Sequence, residues 1–455
     1  MTRINYRKQL LITLSLMRGL NWGYYYERFQ REDQMGIHPD TSKKLLSRIL
    51  AHCQQSVPYY QEIIHNLEGS FEDDPFTYLQ RLPILTKDII RSHFNELKST
   101  DINQRKWRFA TTGGSTGESL RFIADSEHSA RAFAVTSLIS KSIGAEVGES
   151  EILLWGSPRE IMHGTHGWKA ALQTKLSNSQ ILDASQLTSE RMKEYIAIFN
   201  AKRPKLIMAY ADALYELARF AEREKLEVYP QNAVVTSAGM LYPYMRQEIE
   251  KVFHCQVFNR YGSTEFGTIA CERPGCEGLW VPPWTIYLEI VDNHSNPVPN
   301  GTEGNILVTS LSNYAMPLIR YRVGDRGVLS SITTSKGSTS GQILQDILGR
   351  DNDIFVTREG AIIHASYFAI LLYFRDWIKR YQVIQKSYCK VIFRIVKTGS
   401  ECPQIELNEL TKRTKEVMGE DCVVHFDFVD EIPASNSGKF RYIISEVADP
   451  GKKDA

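Results

Sequence analysis

One run of residues, Arg108-Phe109-Ala110-Thr111-Thr112-Gly113-Gly114-Ser115-Thr116-Gly117-Glu118-Ser119, limits more than any other what this chain can be. It is a hydroxyl- and glycine-rich loop entered from a short apolar stretch. Glycines let a backbone approach a phosphate closely, and Ser and Thr hydroxyls with successive N–H groups donate to its oxygens, so the loop reads as a triphosphate cradle. It is not a Walker A loop, because Glu118 stands where a lysine is required. Taken alone, such a cluster is an ordinary turn. Three further segments, in order along the chain, change its meaning.

The second segment, Arg260-Tyr261-Gly262-Ser263-Thr264-Glu265-Phe266-Gly267, follows the strand-like Cys255-Gln256-Val257-Phe258-Asn259. A strand ending in an aromatic, a glycine, a hydroxyl and a carboxylate offers a stacking face for a base, a phosphate donor and a hard oxygen ligand for magnesium. The third, Pro317-Leu318-Ile319-Arg320-Tyr321-Arg322-Val323-Gly324-Asp325-Arg326-Gly327, is read as a strand followed by a glycine-bracketed turn whose Asp325 accepts from ribose hydroxyls. The fourth, Ser435-Asn436-Ser437-Gly438-Lys439-Phe440-Arg441, carries a lysine on a loop close to the chain end. Singly they would pass for an edge turn, a surface ion pair and a basic tail.

The order and spacing of the four resemble the adenylate-forming superfamily of acyl-CoA ligases, and within it the branch around phenylacetate-CoA ligase and CapK-like capsule-biosynthesis proteins. Val57-Pro58-Tyr59-Tyr60, the Leu79-to-Ile90 segment and Arg203-Pro204-Lys205-Leu206-Ile207-Met208-Ala209-Tyr210 point to that branch, so the likeness runs through most of the chain. Two departures stand out. Glu118-Ser119 occupies the place of the usual Lys-Pro, and Asn352-Asp353 that of the usual Asp-Asp after Gly349-Arg350.

The resemblance implies an α/β protein: a large N-terminal adenylate-forming domain of helix-covered β-sheets, residues 1–350, and a small mobile α+β C-terminal domain, residues 351–455, pivoting at Asn352. It implies ATP and magnesium. A carboxylate is a poor acylating agent; attack of its oxygen on the α-phosphorus expels pyrophosphate and leaves a mixed anhydride, a step that asks the protein for positioning and charge neutralisation. Carried over by position, Thr112, Gly113, Gly114, Ser115, Thr116 and Gly117 hold the β- and γ-phosphates, Thr264 the α-phosphate and Glu265 the magnesium. Tyr261, beside Gly262 and Ser263, stacks on adenine near Ser237, Ala238 and Gly239. Asp325 and Arg350 hold the ribose. Lys439 bridges the attacking carboxylate and the α-phosphate, a role suited to a point charge on a flexible stem.

Composition agrees. A chain of 455 residues suggests at least two domains. A net charge of +1 gives no electrostatic case for nucleic acid or an anionic membrane. Seven cysteines in no framework spacing fit reduced thiols and a cytoplasmic protein. The apolar Leu10–Met17 run ends at Arg18, lacks a cleavage site and is too short to span a bilayer, so it reads as a helix packed on the body. Residues 1–100 read as largely helical, including 43–54 and a helix over 86–97 capped by Thr86. Alternation follows: a strand over 151–155, a helix over 189–200 capped by Ser189, a strand over 205–209, a helix over 212–225. From Leu279 to Leu348 the pattern is strand-rich, with a turn at Pro299-Asn300-Gly301.

The acyl pocket is expected between the phosphate loop and the Tyr261 segment, where Trp155, His163, His166, Trp168, Tyr210 and Tyr242 suit an aryl or similar acid, and where each also suits plain core. Cys271 and Cys276 with His254 and Cys255 form two pairs of zinc-type ligands, or incidental and buried cysteines. The expected activity is ATP-dependent acid activation followed by transfer to a thiol, coenzyme A or a carrier protein. The alternative is transfer to an amine or hydroxyl in polysaccharide or natural-product biosynthesis.

Overall fold

The computed structural model describes residues 5–112, 120–155, 177–184, 187–330, 341–350, 354–358, 361–364, 367–368, 371–372, 375, 377–398, 403–433 and 440–447. The chain divides into two compact units, Met1–Val323 with Gly327–Asp346, and Gly324–Arg326 with Ile347–Ala455.

The first unit opens with α1 (Tyr6–Met17), α2 (Trp22–Met35), α3 (Thr41–Ser56), α4 (Pro58–His65), α5 (Pro75–Arg81) and α6 (Lys87–Ser92). In α3, Leu45, Leu46, Ile49, Leu50 and Cys53 form a buried stripe at helical spacing. Thr86 caps α6 by accepting from the Ile89 N–H. The helix ends at Ser92 and does not reach Leu97, because the chain turns back to give the Glu96 carbonyl to the Tyr59 N–H.

An antiparallel pair follows, β1 (Trp107–Thr111) and β2 (Arg121–Asp125), and leads at once into α7 (Ser126–Ser142). Strands and helices then alternate: β3 (Glu151–Trp155), β4 (Ser179–Asp183), α8 (Ser189–Lys202), β5 (Leu206–Tyr210), α9 (Ala211–Arg223), β6 (Val234–Ser237), α10 (Pro243–Phe253) and β7 (Val257–Ser263). The cap of α8 is Thr188, not Ser189. Thr188 keeps an extended backbone and accepts from the Arg191 N–H, while Ser189 is already helical. β8 (Gly267–Cys271), β9 (Leu279–Trp280), β10 (Ile286–Val291), β11 (Glu303–Ser310), β12 (Tyr321–Leu329) and β13 (Ile343–Arg350) complete the strand-rich stretch. The turn at Pro299-Asn300-Gly301 lies between β10 and β11, closed by Thr302 N–H to the Pro299 carbonyl at 3.1 Å.

The large sheet has eleven strands in the order β10-β11-β12-β13-β9-β8-β7-β6-β5-β3-β4. Its seam is β7, parallel to β6 over Val257–Asn259 and antiparallel to β8 from Arg260 onward. On the parallel side the strands read as unbroken apolar runs, Ile152-Leu153-Leu154, Leu206-Ile207-Met208-Ala209 and Val234-Val235, as strands covered on both faces do.

The second unit is α+β: β14 (Ile354–Val356), β15 (Ile362–His364), β16 (Ile378–Ser387), β17 (Lys390–Lys397), α11 (Gln404–Met418), β18 (Val423–Phe428) and β19 (Ile443–Ser445). Its four-stranded sheet runs β18-β17-β16-β19. Phe355, Phe368, Trp377, Val383, Phe393 and Leu410 form its core.

Candidate active site

The segment 260–267 is a hairpin. β7 continues through Tyr261, Gly262 and Ser263, Thr264-Glu265-Phe266 make the turn, and Gly267 starts β8 with φ +72, a left-handed residue closing a three-residue loop. Gly262 is obligatory by contact, since a Cβ there would lie 2.3 Å from the Gly267 carbonyl oxygen. Thr264 is exposed, and the Ser263 hydroxyl is buried with no hydrogen-bond partner among the described residues.

Glu265, at the strand end, is buried, only 7% exposed. Two distant residues hold it. The Tyr321 phenol donates to Oε1 at 3.2 Å, and His128 Nε2 lies 3.2 Å from the Glu265 backbone oxygen. His128 Nδ1 is 2.9 Å from Ser312 Oγ. A carbonyl only accepts, so Nε2 carries the proton and Nδ1 accepts from Ser312. Burial pushes the His128 pKa down, which keeps the ring in this neutral form. Asp125 seats the histidine: one carboxylate oxygen caps α7 at the His128 N–H, and the other accepts from the Tyr314 and Ala315 N–H groups.

Beneath the hairpin, Arg260 donates to Thr268 Oγ1 at 2.8 Å and to Ser237 Oγ at 3.2 Å, and Ser237 in turn donates to the Arg260 carbonyl. Its burial lowers the guanidinium pKa. The end of β6 is thereby tied to the hairpin, which brings Ser237-Ala238-Gly239 beside the strand that carries Tyr261. Ala238 has φ +66, a left-handed conformation uncommon for alanine and of the kind that concentrates at functional sites.

The phosphate loop is described only at its base. Thr112 N–H bonds the Leu120 carbonyl and Thr112 Oγ1 accepts from the Leu120 N–H, both at 2.9 Å, while Gly113, Gly114, Ser115, Thr116 and Gly117 lie outside the described residues. Asp325 corrects one expectation. It lies inside β12 and not in a turn after it, because the strand passes through Gly324, at φ +86, and continues to Leu329. Arg350 ends β13, with no side chain described, and Asn352 and Lys439 lie outside the described residues.

Of the expected pocket aromatics, Trp155 and Tyr210 meet with ring centroids 4.5 Å apart at the carboxyl ends of β3 and β5. The strand order β4-β3-β5 places them where the winding of the parallel half reverses, the place where open α/β sheets bind ligands. Tyr242 stacks instead on Tyr244, and His163, His166 and Trp168 lie outside the described residues. Cys271 is buried in an apolar cluster with Trp22, Phe29 and Trp284, and Cys276 packs against it. Among the described residues no group of three or more His, Cys, Asp or Glu is placed to hold a metal, so the set with His254 and Cys255 is not assembled there. Nor is any described helix long and apolar enough to cross a membrane.

The half-parallel, half-antiparallel sheet with a separate α+β C-terminal unit is the fold of an adenylate-forming ligase. The chain superposes on 2-hydroxyisobutyryl-CoA ligase in complex with 2-HIB-AMP with a TM-score of 0.69 at 16% identity, covering 91% of this chain and 92% of that one. Residues 355–446 match the CapK C-terminal domain. Over 429 residues the chain is 24% identical to Protein CapK of Staphylococcus aureus, covering 93% of each. Over 353 residues it is 23% identical to phenylacetate-coenzyme A ligase of Thermus thermophilus, covering 74% of this chain and 76% of that one. The chain is thus similar over most of its length to CapK and to phenylacetate-CoA ligase, and it has the fold of the adenylate-forming ligases.

Proposed function

We propose that this protein uses ATP to convert a carboxylic acid to an acyl-adenylate and then passes the acyl group to a thiol, that of coenzyme A or of a carrier protein. The observation that carries the reading is the β7–β8 hairpin. It combines a buried Ser263 hydroxyl and a Glu265 carboxylate whose Oε2 receives no hydrogen bond, both among the described residues, on a turn whose tight closure at Gly262 fixes their positions. That donor set fits a phosphate and a hard cation. Glu265 would hold magnesium, which supplies neutralisation of phosphate charge.

The loop from Thr112 to Gly117 binds the β- and γ-phosphates and Thr264 the α-phosphate. Tyr261 stacks on adenine beside Ala238, and Asp325 and Arg350 hold the ribose. Lys439 neutralises the charge that builds as the carboxylate oxygen bonds to the α-phosphorus and the bond to pyrophosphate breaks. The thiol sulfur then attacks the acyl carbon, loses its proton and displaces AMP. The Trp155–Tyr210 pair favours a flat aryl acid, whose ring stacks against such a wall. The alternative acceptor is an amine or hydroxyl, reached through the same first half-reaction.

Pyrophosphate exchange across a panel of aryl and short aliphatic acids, followed by acceptor screening with the best acid, tests the reading. Exchange with at least one acid, strongest among aryl acids, is expected. No exchange with any acid in the presence of ATP and magnesium would sink it.

A further inference from the structure

A cavity of about 330 Å³ lies at the other end of the parallel strands. Its walls come from α1 and the start of α2, one face of α7, and the amino ends of β3, β4 and β5. Glu151 and Trp155 are the two ends of β3, roughly 13 Å apart at the rise of an extended strand. The cavity is therefore distinct from the acyl pocket expected at Trp155 and Tyr210, and its size reaches the lower range of small-molecule sites.

Two features of its lining point to one class of ligand. The first is charge. Of the three carboxylates that line it, Glu146 is already neutralised by Lys8 at 3.0 Å and Lys141 at 3.3 Å. Among the described residues Glu149 accepts the Glu146 N–H, Glu151 accepts only from Ser179 Oγ at 2.9 Å, and neither has a cation. Burial raises the Glu151 pKa, as it does for a carboxyl lacking a counter-charge. The second is the aromatic wall. Phe133 keeps 48% of its surface exposed although it touches the buried Trp22 edge to face at 4.9 Å, so its ring is left to whatever enters. A carboxylate without a cation, sharing one cavity with an uncovered aromatic ring, is the recognition chemistry of an organic ammonium ion.

We propose that this cavity binds a small organic amine in its cationic form, its ammonium on Glu151 and its apolar body against Trp22 and Phe133. The site is independent of acid activation and stands whether or not the proposed activity does.

Titration calorimetry of the full chain at pH 7 with phenethylamine, 2-phenylethanol and 3-phenylpropionate as probes tests it, since the three share a ring and differ in the charge of the tail. Phenethylamine is expected to bind at least tenfold more tightly than the alcohol, with the carboxylate weakest. Glu151→Gln should remove that preference. Ser15→Trp, which fills the cavity from α1 without altering the sheet, should abolish binding while leaving pyrophosphate exchange unchanged. Equal affinity for the three probes, binding by none, or phenethylamine binding untouched by Ser15→Trp would overturn the proposal. Should Glu151→Gln fail to fold, the Ser15→Trp and probe comparisons still decide.

Discussion

The phenol of Tyr321 donates to the Glu265 carboxylate at 3.2 Å, joining the first residue of β12 to the turn between β7 and β8. One carboxylate oxygen is thus oriented by the protein, and the other is the one proposed to face the metal. In Tyr321→Phe the carboxylate loses that orientation, and a single neutral-to-charged hydrogen bond of this kind contributes about 1.5–3 kcal/mol at most. Adenylation in the variant should need several-fold more magnesium, with a small change in the urea midpoint. Glu265→Gln, which keeps the shape and removes the charge, should show a larger rise in magnesium requirement and still fold. Wild-type metal dependence in both variants, measured by pyrophosphate exchange, would take the metal role from Glu265.

Gly262 and Gly301 separate two reasons for glycine. A methyl group at Gly262 meets the Gly267 carbonyl oxygen at 2.3 Å and Arg260 Nη2 at 3.2 Å, whereas at Gly301, with φ +84, it meets nothing within 4 Å. Gly262→Ala should therefore cost roughly 1–3 kcal/mol through overpacking and abolish exchange. Gly301→Ala should cost about 1–2 kcal/mol from its left-handed backbone alone and leave activity intact. Activity lost equally in both would show that the hairpin geometry at Gly262 is not what the site depends on.

Lys439 is expected to act in one half-reaction only. Lys439→Ala should lower pyrophosphate exchange by about a thousandfold, the scale of removing one group that stabilises transition-state charge. Transfer from a synthetic acyl-adenylate to the acceptor should continue at near the wild-type rate. Near-normal exchange in this variant would end the assignment.

How much was legible in the sequence follows from how far apart the cooperating residues lie. Tyr261 to Gly267 is contiguous, so it stood out as a string, and the alternation of the β3 and β5 runs with helices announced a helix-covered sheet. The residues that hold Glu265 could not be read that way, since Tyr321 is 56 positions away and His128 is 137. His128 looks like any helical residue until α7 is placed against the hairpin. Arg260, the first residue of that segment, carried no role in the string because its task is to tie β6 to β8 through Ser237 and Thr268, a proximity that only the sheet reveals. Asp325 was misplaced for a related reason. Glycines on both sides signal a turn locally, and the neighbouring strands of the sheet keep the segment extended regardless.

The last prediction concerns the buried pair behind β12. Arg320 Nε donates to both oxygens of Glu289 at 3.1 Å, and Arg320 Nη1 donates to the Gln80 and Leu82 carbonyls, fixing the end of α5 against the sheet. Removing one member of such a pair leaves an uncompensated buried charge, so Arg320→Leu should cost about 3–5 kcal/mol, and adding Glu289→Leu should recover part of it. The pH dependence has a definite sign. Burial, opposed by Arg320, already holds the Glu289 pKa above its ordinary 4.5. A carboxyl with a raised folded-state pKa contributes stability that is fully present below the unfolded value and lost as pH rises through the folded one. Without Arg320 the folded pKa rises further and the window of loss extends toward neutrality. The destabilisation by Arg320→Leu should thus be smaller at pH 5 than at pH 8, measured by urea unfolding. Equal losses at the two pH values would mean that Arg320 matters for its packing and carbonyl contacts and not for the charge of Glu289.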